Sequence, residues 1–215
     1  MKIHLHGLLE NPEHFRIVGL CDVDELKMRA VAEDYGIPNV PLFTDFQTML
    51  KTVRPEIFVF ATYPDLRLNV IQAAAKYGVK GISFEKPMAR SLQEAKQILD
   101  LCHEHHIKAV VCHQQKYLSQ MQNLKRRIEQ GEIGNITKIH VETQAWFTQL
   151  GTHYVDYILW ANGGYRAKWV CGHVHGPICL EDSHPAPDYL LGTMELENGV
   201  HAYVECGYLA EAHNP

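Results

Sequence analysis

The sequence predicts an α/β chain in two parts: a doubly wound parallel sheet, then a second α/β region with a mostly antiparallel sheet. Three observations carry that prediction. Short apolar runs alternate with helix-like patterns from Phe15 to Cys112, the signature of βα units. The run Ile57-Phe-Val-Phe-Ala61 is continuously apolar, as expected of a strand covered on both faces. After His113 the pattern changes, and two strand-like runs are joined by Glu197-Asn198-Gly199, a hairpin signal. The boundary falls near His113–Tyr117, dividing the chain into residues 1–115 and 116–215.

The elements follow in order. Lys2–Glu10 reads as a short helix ended by Asn11-Pro12. Phe15–Cys21 reads as a strand, Glu25–Tyr35 as a helix stopped by Gly36 and Pro38, and Asp45–Val53 as a second helix. Ile57–Ala61 is a strand, and Asp65–Tyr77 a helix with Gly78 at its end. Val79–Phe84 is a strand, and Ser91–His105 a helix opened by a Ser91/Glu94 capping box. Ile107–Cys112 closes the first part. In the second part, helices are expected over Leu118–Gln130 and Leu150–Ala161, with a partly alternating strand over Ile136–Trp146 between them. Strands follow at Lys168–Val174, Tyr189–Leu196 and Val200–Cys206.

Bulk properties narrow the function. A 215-residue chain that is 46% hydrophobic can bury a real core. The net charge of −5 argues against a nucleic-acid footprint, which is basic. Apolar runs are too short for a membrane helix. Six cysteines are present without a C-x-x-C pair, which fits buried thiols in a reducing cytoplasm.

Four stretches carry chemistry. Asp22 ends the first predicted strand; in a dinucleotide-binding sheet such an acid holds ribose hydroxyls and disfavours a 2′-phosphate, so NAD is expected over NADP. The competing reading makes Asp22 or Asp24 a helix cap. Ala61, Thr62, Tyr63 and Pro64 lie at another strand's carboxyl end, where ligands bind in open α/β sheets. In Ser83-Phe-Glu-Lys-Pro-Met-Ala89, Lys86 is expected to steady a substrate oxygen, with Glu85 beside it. On the helix after residue 150, His153, Asp156, Tyr157 and Trp160 share one face, and His153 suits a general base. Cys102, His103, His105 and His106 cluster at a helix end, where cationic and polar residues are unsurprising, and His173 and His175 share a strand face only as a pair with no third ligand at metal spacing, so no metal is expected.

Together, "CDVDE", "ATYPDL", "FEKPMARSLQEA", "CHQQKY", "GEIGNI", "GTHYVDYILW" and "LENGVHAYVECG" resemble the Gfo/Idh/MocA family, over about residues 6–211. The resemblance implies an incomplete Rossmann-type domain followed by an α/β substrate domain. It implies an NAD- or NADP-dependent oxidoreductase acting on a sugar, inositol or related polyol. Lys86 becomes the substrate-holding lysine, His153 the acid/base and Asp156 a pocket residue. Homo-oligomers through the C-terminal sheet are expected. Three departures accompany the match. The chain has no Gly-x-Gly-x-x-Gly loop, so in the order 3-2-1-4-5-6 the central strand and its phosphate loop are missing. The stretch between Trp146 and Leu150 is only Phe147-Thr148-Gln149, and Gln149 stands where many relatives carry an aspartate. The chain stops at Asn214-Pro215. An incomplete chain is the expectation, and a shortened relative serving as a binding or scaffold module is the alternative.

Overall fold

The computed structural model describes residues 2–178 and 187–207, and it comprises two compact units, Met1–Cys112 and His113–Pro215.

The first unit alternates α1 (Lys2–Leu9), β1 (Leu20–Cys21), α2 (Glu25–Asp34), β2 (Leu42–Phe43), α3 (Phe46–Val53), β3 (Ile57–Phe60), α4 (Arg67–Lys76), β4 (Gly81–Glu85), α5 (Leu92–Glu104) and β5 (Lys108–Cys112). Short polar side chains start the helices. Asp24, Asp45 and Ser91 accept from the backbone N–H three residues on, satisfying donors the helix itself leaves orphaned. The Glu94 carboxylate takes the Arg90 N–H at 2.9 Å. Gly78, at φ +79°, ends the turn after α4 in a conformation that suits glycine.

Every strand pairing described here is parallel, in two sheets: β1–β2 and β3–β4–β5. Among the described residues no ladder joins β1 to β3. The strand expected over residues 15–21 shortens to Leu20–Cys21, because its partner is only Leu42–Phe43. That partner, lying between Pro41 and the Asp45 cap, gave no readable pattern in the sequence.

Phe58, Phe60, Ile82 and Phe84 point to one face and pack with Leu50, Ile71, Ala74 and Ile98. The Phe60 and Phe84 rings stack with centroids 5.3 Å apart. The other face differs from the expected full coverage. Ile57 and Val110 are each about half exposed, in a groove lined by Ile3 and Leu8 of α1 together with Phe15 and Val59. Eight residues of helix span about 12 Å, too little to roof three strands.

The second unit holds α6 (Ser119–Glu129), β6 (Lys138–Thr143), α7 (Thr152–Ala161), β7 (Ala167–Ile178), β8 (Pro187–Leu196) and β9 (His201–Gly207). The sheet order is β6-β9-β8-β7, with β6 parallel to β9 and the other pairings antiparallel. The β8–β9 turn closes as expected: Gly199 has φ +83° and donates to the Leu196 carbonyl at 2.8 Å. Asn198 exchanges amide hydrogen bonds with buried Asn162 at 3.0 and 3.1 Å, which anchors the hairpin to the end of α7. Ile158 of α7 packs with Met194, Leu196, Val200, Ala202, Val204 and Cys206.

Two readings change. β7 runs on to Ile178, beyond the expected end at Val174, by a register shift after His175 at Gly176, φ +80°. A π-helical turn, Phe147–Gly151, precedes α7. A Cβ at Gly151 would collide with the Phe147 ring, so any larger residue there must displace that ring. Cys21, Cys102, Cys112, Cys171 and Cys206 are free thiols; Cys179 lies outside the described residues.

Candidate active site

In the first unit the predicted ligand-facing residues lie at the carboxyl ends of the parallel strands. Asp22 directly follows β1, with its N–H bonded to the Phe43 carbonyl at 3.2 Å and its Oδ1 accepting from Asp24 N–H at 3.1 Å. Asp24, not Asp22, caps α2, accepting from Lys27 N–H at 2.9 Å. Ala61 and Tyr63 are exposed after β3, Pro64 is buried, and the Thr62 hydroxyl oxygen is buried without a hydrogen-bond partner. Glu85 ends β4 and Lys86 follows it, half-buried.

One residue ties these turns together. Arg67, the first residue of α4, is only 2% exposed. Its Nη2 donates to the Thr62 carbonyl at 3.0 Å and to the Lys86 carbonyl at 3.2 Å. Its guanidinium carbon lies 5.9 Å from the Phe84 ring centroid. Burial pulls the Arg67 pKa down, opposed by the nearby Glu85 charge. Arg67 therefore fixes the backbone that carries Lys86. From α1, His4 Nε2 meets Glu85 Oε1 at 2.8 Å, so Glu85 also has a side-chain partner.

In the second unit the predicted face of α7 is a connected polar network. His153 is 3% exposed. Its Nδ1 lies 3.1 Å from the Tyr157 hydroxyl, which donates to Gln115 Oε1 at 2.9 Å. Asp156 accepts from Lys116 Nζ at 2.9 and 3.2 Å and lies 3.8 Å from His113 Nδ1. The His113 and His153 rings meet edge to face, with centroids 5.0 Å apart. Trp160 takes the Lys125 ammonium over its ring at 5.8 Å. Burial, then the Asp156 charge, pushes the Tyr157 pKa up to about 12, so this phenol keeps its proton at any ordinary pH. The network thus holds a buried imidazole against a neutral hydroxyl, beside a paired carboxylate.

The sequence reading placed His153 and Asp156 in the site but missed His113, Gln115 and Lys116. Gln115 and Lys116 arrive on the one-turn 3₁₀ segment Gln114–Tyr117, and His113 directly precedes it; the segment is too short to show a period. Tyr157 was placed on the face without a role. Arg67 was missed because an arginine in a helix's first turn normally reads as solvated. Among the described residues, two groups bring three donor atoms within 4.8 Å: His4, Glu85 and Cys112, and His140, Glu142 and Glu205. In the first, His4 and Glu85 already satisfy each other, and the Cys112 Sγ lies 3.4 Å from Ser83 Oγ. The histidines at 103, 105, 106, 173 and 175 belong to neither group.

Residues 2–113 match the model of an oxidoreductase family with an NAD-binding Rossmann fold, Gfo/Idh/MocA. D-apiose dehydrogenase of Paraburkholderia graminis is 28% identical over 225 aligned residues, covering 95% of this chain and 57% of that protein. 2,7-Anhydro-N-acetylneuraminate hydratase of Mediterraneibacter gnavus is 25% identical over 193 residues, covering 90% of this chain and 47% of that protein. The chain spans about half the length of these relatives. The crystal structure of the WlbA dehydrogenase from Bordetella pertussis, in complex with NADH and UDP-GlcNAcA, superposes with a TM-score of 0.78 at 21% identity, covering 96% of this chain and 67% of that one. With a matched domain spanning more than half its residues, this chain belongs to the Gfo/Idh/MocA oxidoreductase family.

Proposed function

We propose that this chain carries the machinery of an NAD(P)-dependent dehydrogenase that moves a hydride between nicotinamide and a carbinol carbon of a sugar, inositol or related polyol. The observation that carries the reading is the network around His153: a buried imidazole with one ring nitrogen held by Tyr157 and a paired carboxylate at its side. His153 takes the hydroxyl proton as general base. The Lys86 ammonium stabilises the oxygen as charge develops on it. Asp156, paired with Lys116, serves as the pocket carboxylate beside that base. The cofactor supplies the hydride acceptor, and the protein supplies placement.

The fit of the cofactor to the residues present is partial. Asp22 stands where ribose hydroxyls are held, and Asp24 relieves it of capping. Its charge favours NAD over NADP. The turn at Ala61–Pro64, with Glu85 and Lys86, offers the nicotinamide side. No Gly-x-Gly-x-x-Gly segment for the pyrophosphate occurs in the sequence. The second reading is a sugar-binding or assembly module without cofactor binding. The homologous hydratase makes it important to assay net NADH formation rather than substrate loss.

Two further expectations belong to the same reading. The outer face of the second sheet carries Trp169, Tyr189 and Tyr203 among charged neighbours, which suits a homo-oligomer through that sheet. The free thiols suit a reducing cytoplasm; among the described residues no helix is long and apolar enough to cross a membrane.

Binding of NAD by tryptophan quenching, with NADH formation at 340 nm across aldoses and inositols, tests the proposal. NAD binding with turnover that falls on the order of 10²-fold or more in Lys86→Ala and His153→Gln is expected. Sugar binding with no response to NAD would overturn it in favour of the second reading.

A further inference from the structure

We propose that Tyr157 and Gln115 are positioning residues that fix the tautomer of His153, holding its proton on Nδ1 and its basic lone pair on Nε2. The inference rests on the dehydrogenase reading for its purpose, but not for its geometry.

Proton counting assigns the tautomer. A phenol has one proton to donate. Tyr157 gives it to Gln115 Oε1 at 2.9 Å. An amide oxygen accepts only, so that proton is committed there. The same hydroxyl lies 3.1 Å from His153 Nδ1. With its proton used, the hydroxyl can meet Nδ1 only as an acceptor, so Nδ1 must carry hydrogen. A neutral imidazole has one N–H, which leaves the lone pair on Nε2. When His153 takes the substrate proton, that proton goes to Nε2 and the Nδ1–H···O bond persists, so no rearrangement accompanies the step. The phenol's raised pKa, about 12, keeps this arrangement intact through the working pH range.

The location supports a positioning role rather than packing alone. His153 and Tyr157 are nearly fully buried, so water is a poor substitute for either partner. Gln115 reaches them from the Gln114–Tyr117 turn, whose next residue, Lys116, fixes Asp156. One short turn thereby sets both the imidazole's tautomer and the carboxylate's charge partner. Among the described residues, Tyr157 on its own helix and His113 just before the turn lie against His153, and the Asp156–Lys116 pair lies next to His113.

The test is ¹⁵N NMR of the histidine side chains at a pH where His153 is neutral, its resonances assigned by their loss in His153→Gln. Wild type is expected to show the Nδ1–H form in roughly fivefold to tenfold excess, the worth of one net hydrogen bond. This is the reverse of the Nε2–H form that free histidine favours. Tyr157→Phe removes the acceptor, and Gln115→Leu frees the phenol's proton for Nδ1; both should restore the Nε2–H form. The acid limb of kcat/KM should also move to lower pH in Tyr157→Phe, because the Nδ1–H bond that stabilises the imidazolium is gone. An Nε2–H majority in wild type, or a tautomer ratio unmoved in both variants, would overturn the inference. A ratio that moves as expected in a protein without dehydrogenase activity would uphold the inference and refute the functional reading.

Discussion

The two units hold their site residues by different means. In the first, Arg67 grips main chain: two carbonyls, one in each of two neighbouring turns. In the second, side chains grip side chains: Tyr157 to His153 and Gln115, and Lys116 to Asp156. Backbone clamping sets where a loop lies. Side-chain networks set which proton sits where. Damage to the first should therefore appear as lost stability, and damage to the second as altered titration with the fold intact.

The cores beneath them offer the largest test. Phe84 is fully buried and stacked on Phe60, whereas Ile158 is the buried anchor of α7 on the second sheet. Phe84→Ala should cost about 3–5 kcal/mol and Ile158→Ala about 2–5 kcal/mol, measured by urea unfolding. If the units unfold separately, each variant should lower one transition and spare the other. A single transition lowered equally by both would show that the units fold as one cooperative block, and the contrast drawn above would lose its meaning for stability.

Arg67→Met sharpens the contrast at the next level. It removes charge-assisted bonds to the Thr62 and Lys86 carbonyls, each worth about 1.5–3 kcal/mol net when well formed. Against that stands relief of a buried guanidinium, whose Nε and Nη1 find no hydrogen-bond partner. A net loss of about 2 kcal/mol is expected, with weakened NAD binding because the turn bearing Lys86 shifts. Unchanged stability and unchanged binding would show that the clamp does nothing. Tyr157→Phe is the matched control, since it alters one hydrogen bond between side chains and should lower stability by only about 1 kcal/mol.

This division also explains what could be read from the sequence. The helix cap at Ser91, the hairpin at Glu197–Gly199 and the shared face of α7 were legible, because each depends on residues within one or two turns of one another. His153 and Asp156 were legible as a pair for the same reason. The partners that give them chemistry were not: Gln115 and Lys116 lie about 40 residues away in sequence, and no local period records a contact across that distance. The β1–β2 pairing was missed for a related reason. Two residues are too few to show alternation, so only the observed register, Leu20 opposite Leu42, reveals them.

The smallest expected effect compares a thiol in each unit. Burial, reinforced by nearby carboxylates, pushes the pKa of Cys21 in the first unit and of Cys206 in the second up to about 11. The sign follows from linkage. Below pH 9 the thiol is protonated in both states and its full contribution is present. Between about 9 and 11 the unfolded thiol ionises while the folded one holds its proton, so stability falls as pH rises. For Cys206, which is fully buried between β9 and α7, two pKa units correspond to at most about 3 kcal/mol across that window. Cys21 is half-exposed, so solvent screens its share. Cys206→Ala should therefore flatten the alkaline decline more than Cys21→Ala does. The measurement is ΔG of unfolding from pH 8 to 11 under reducing conditions. Equal flattening by the two variants would mean that the carboxylates beside the thiols, rather than burial, govern these shifts.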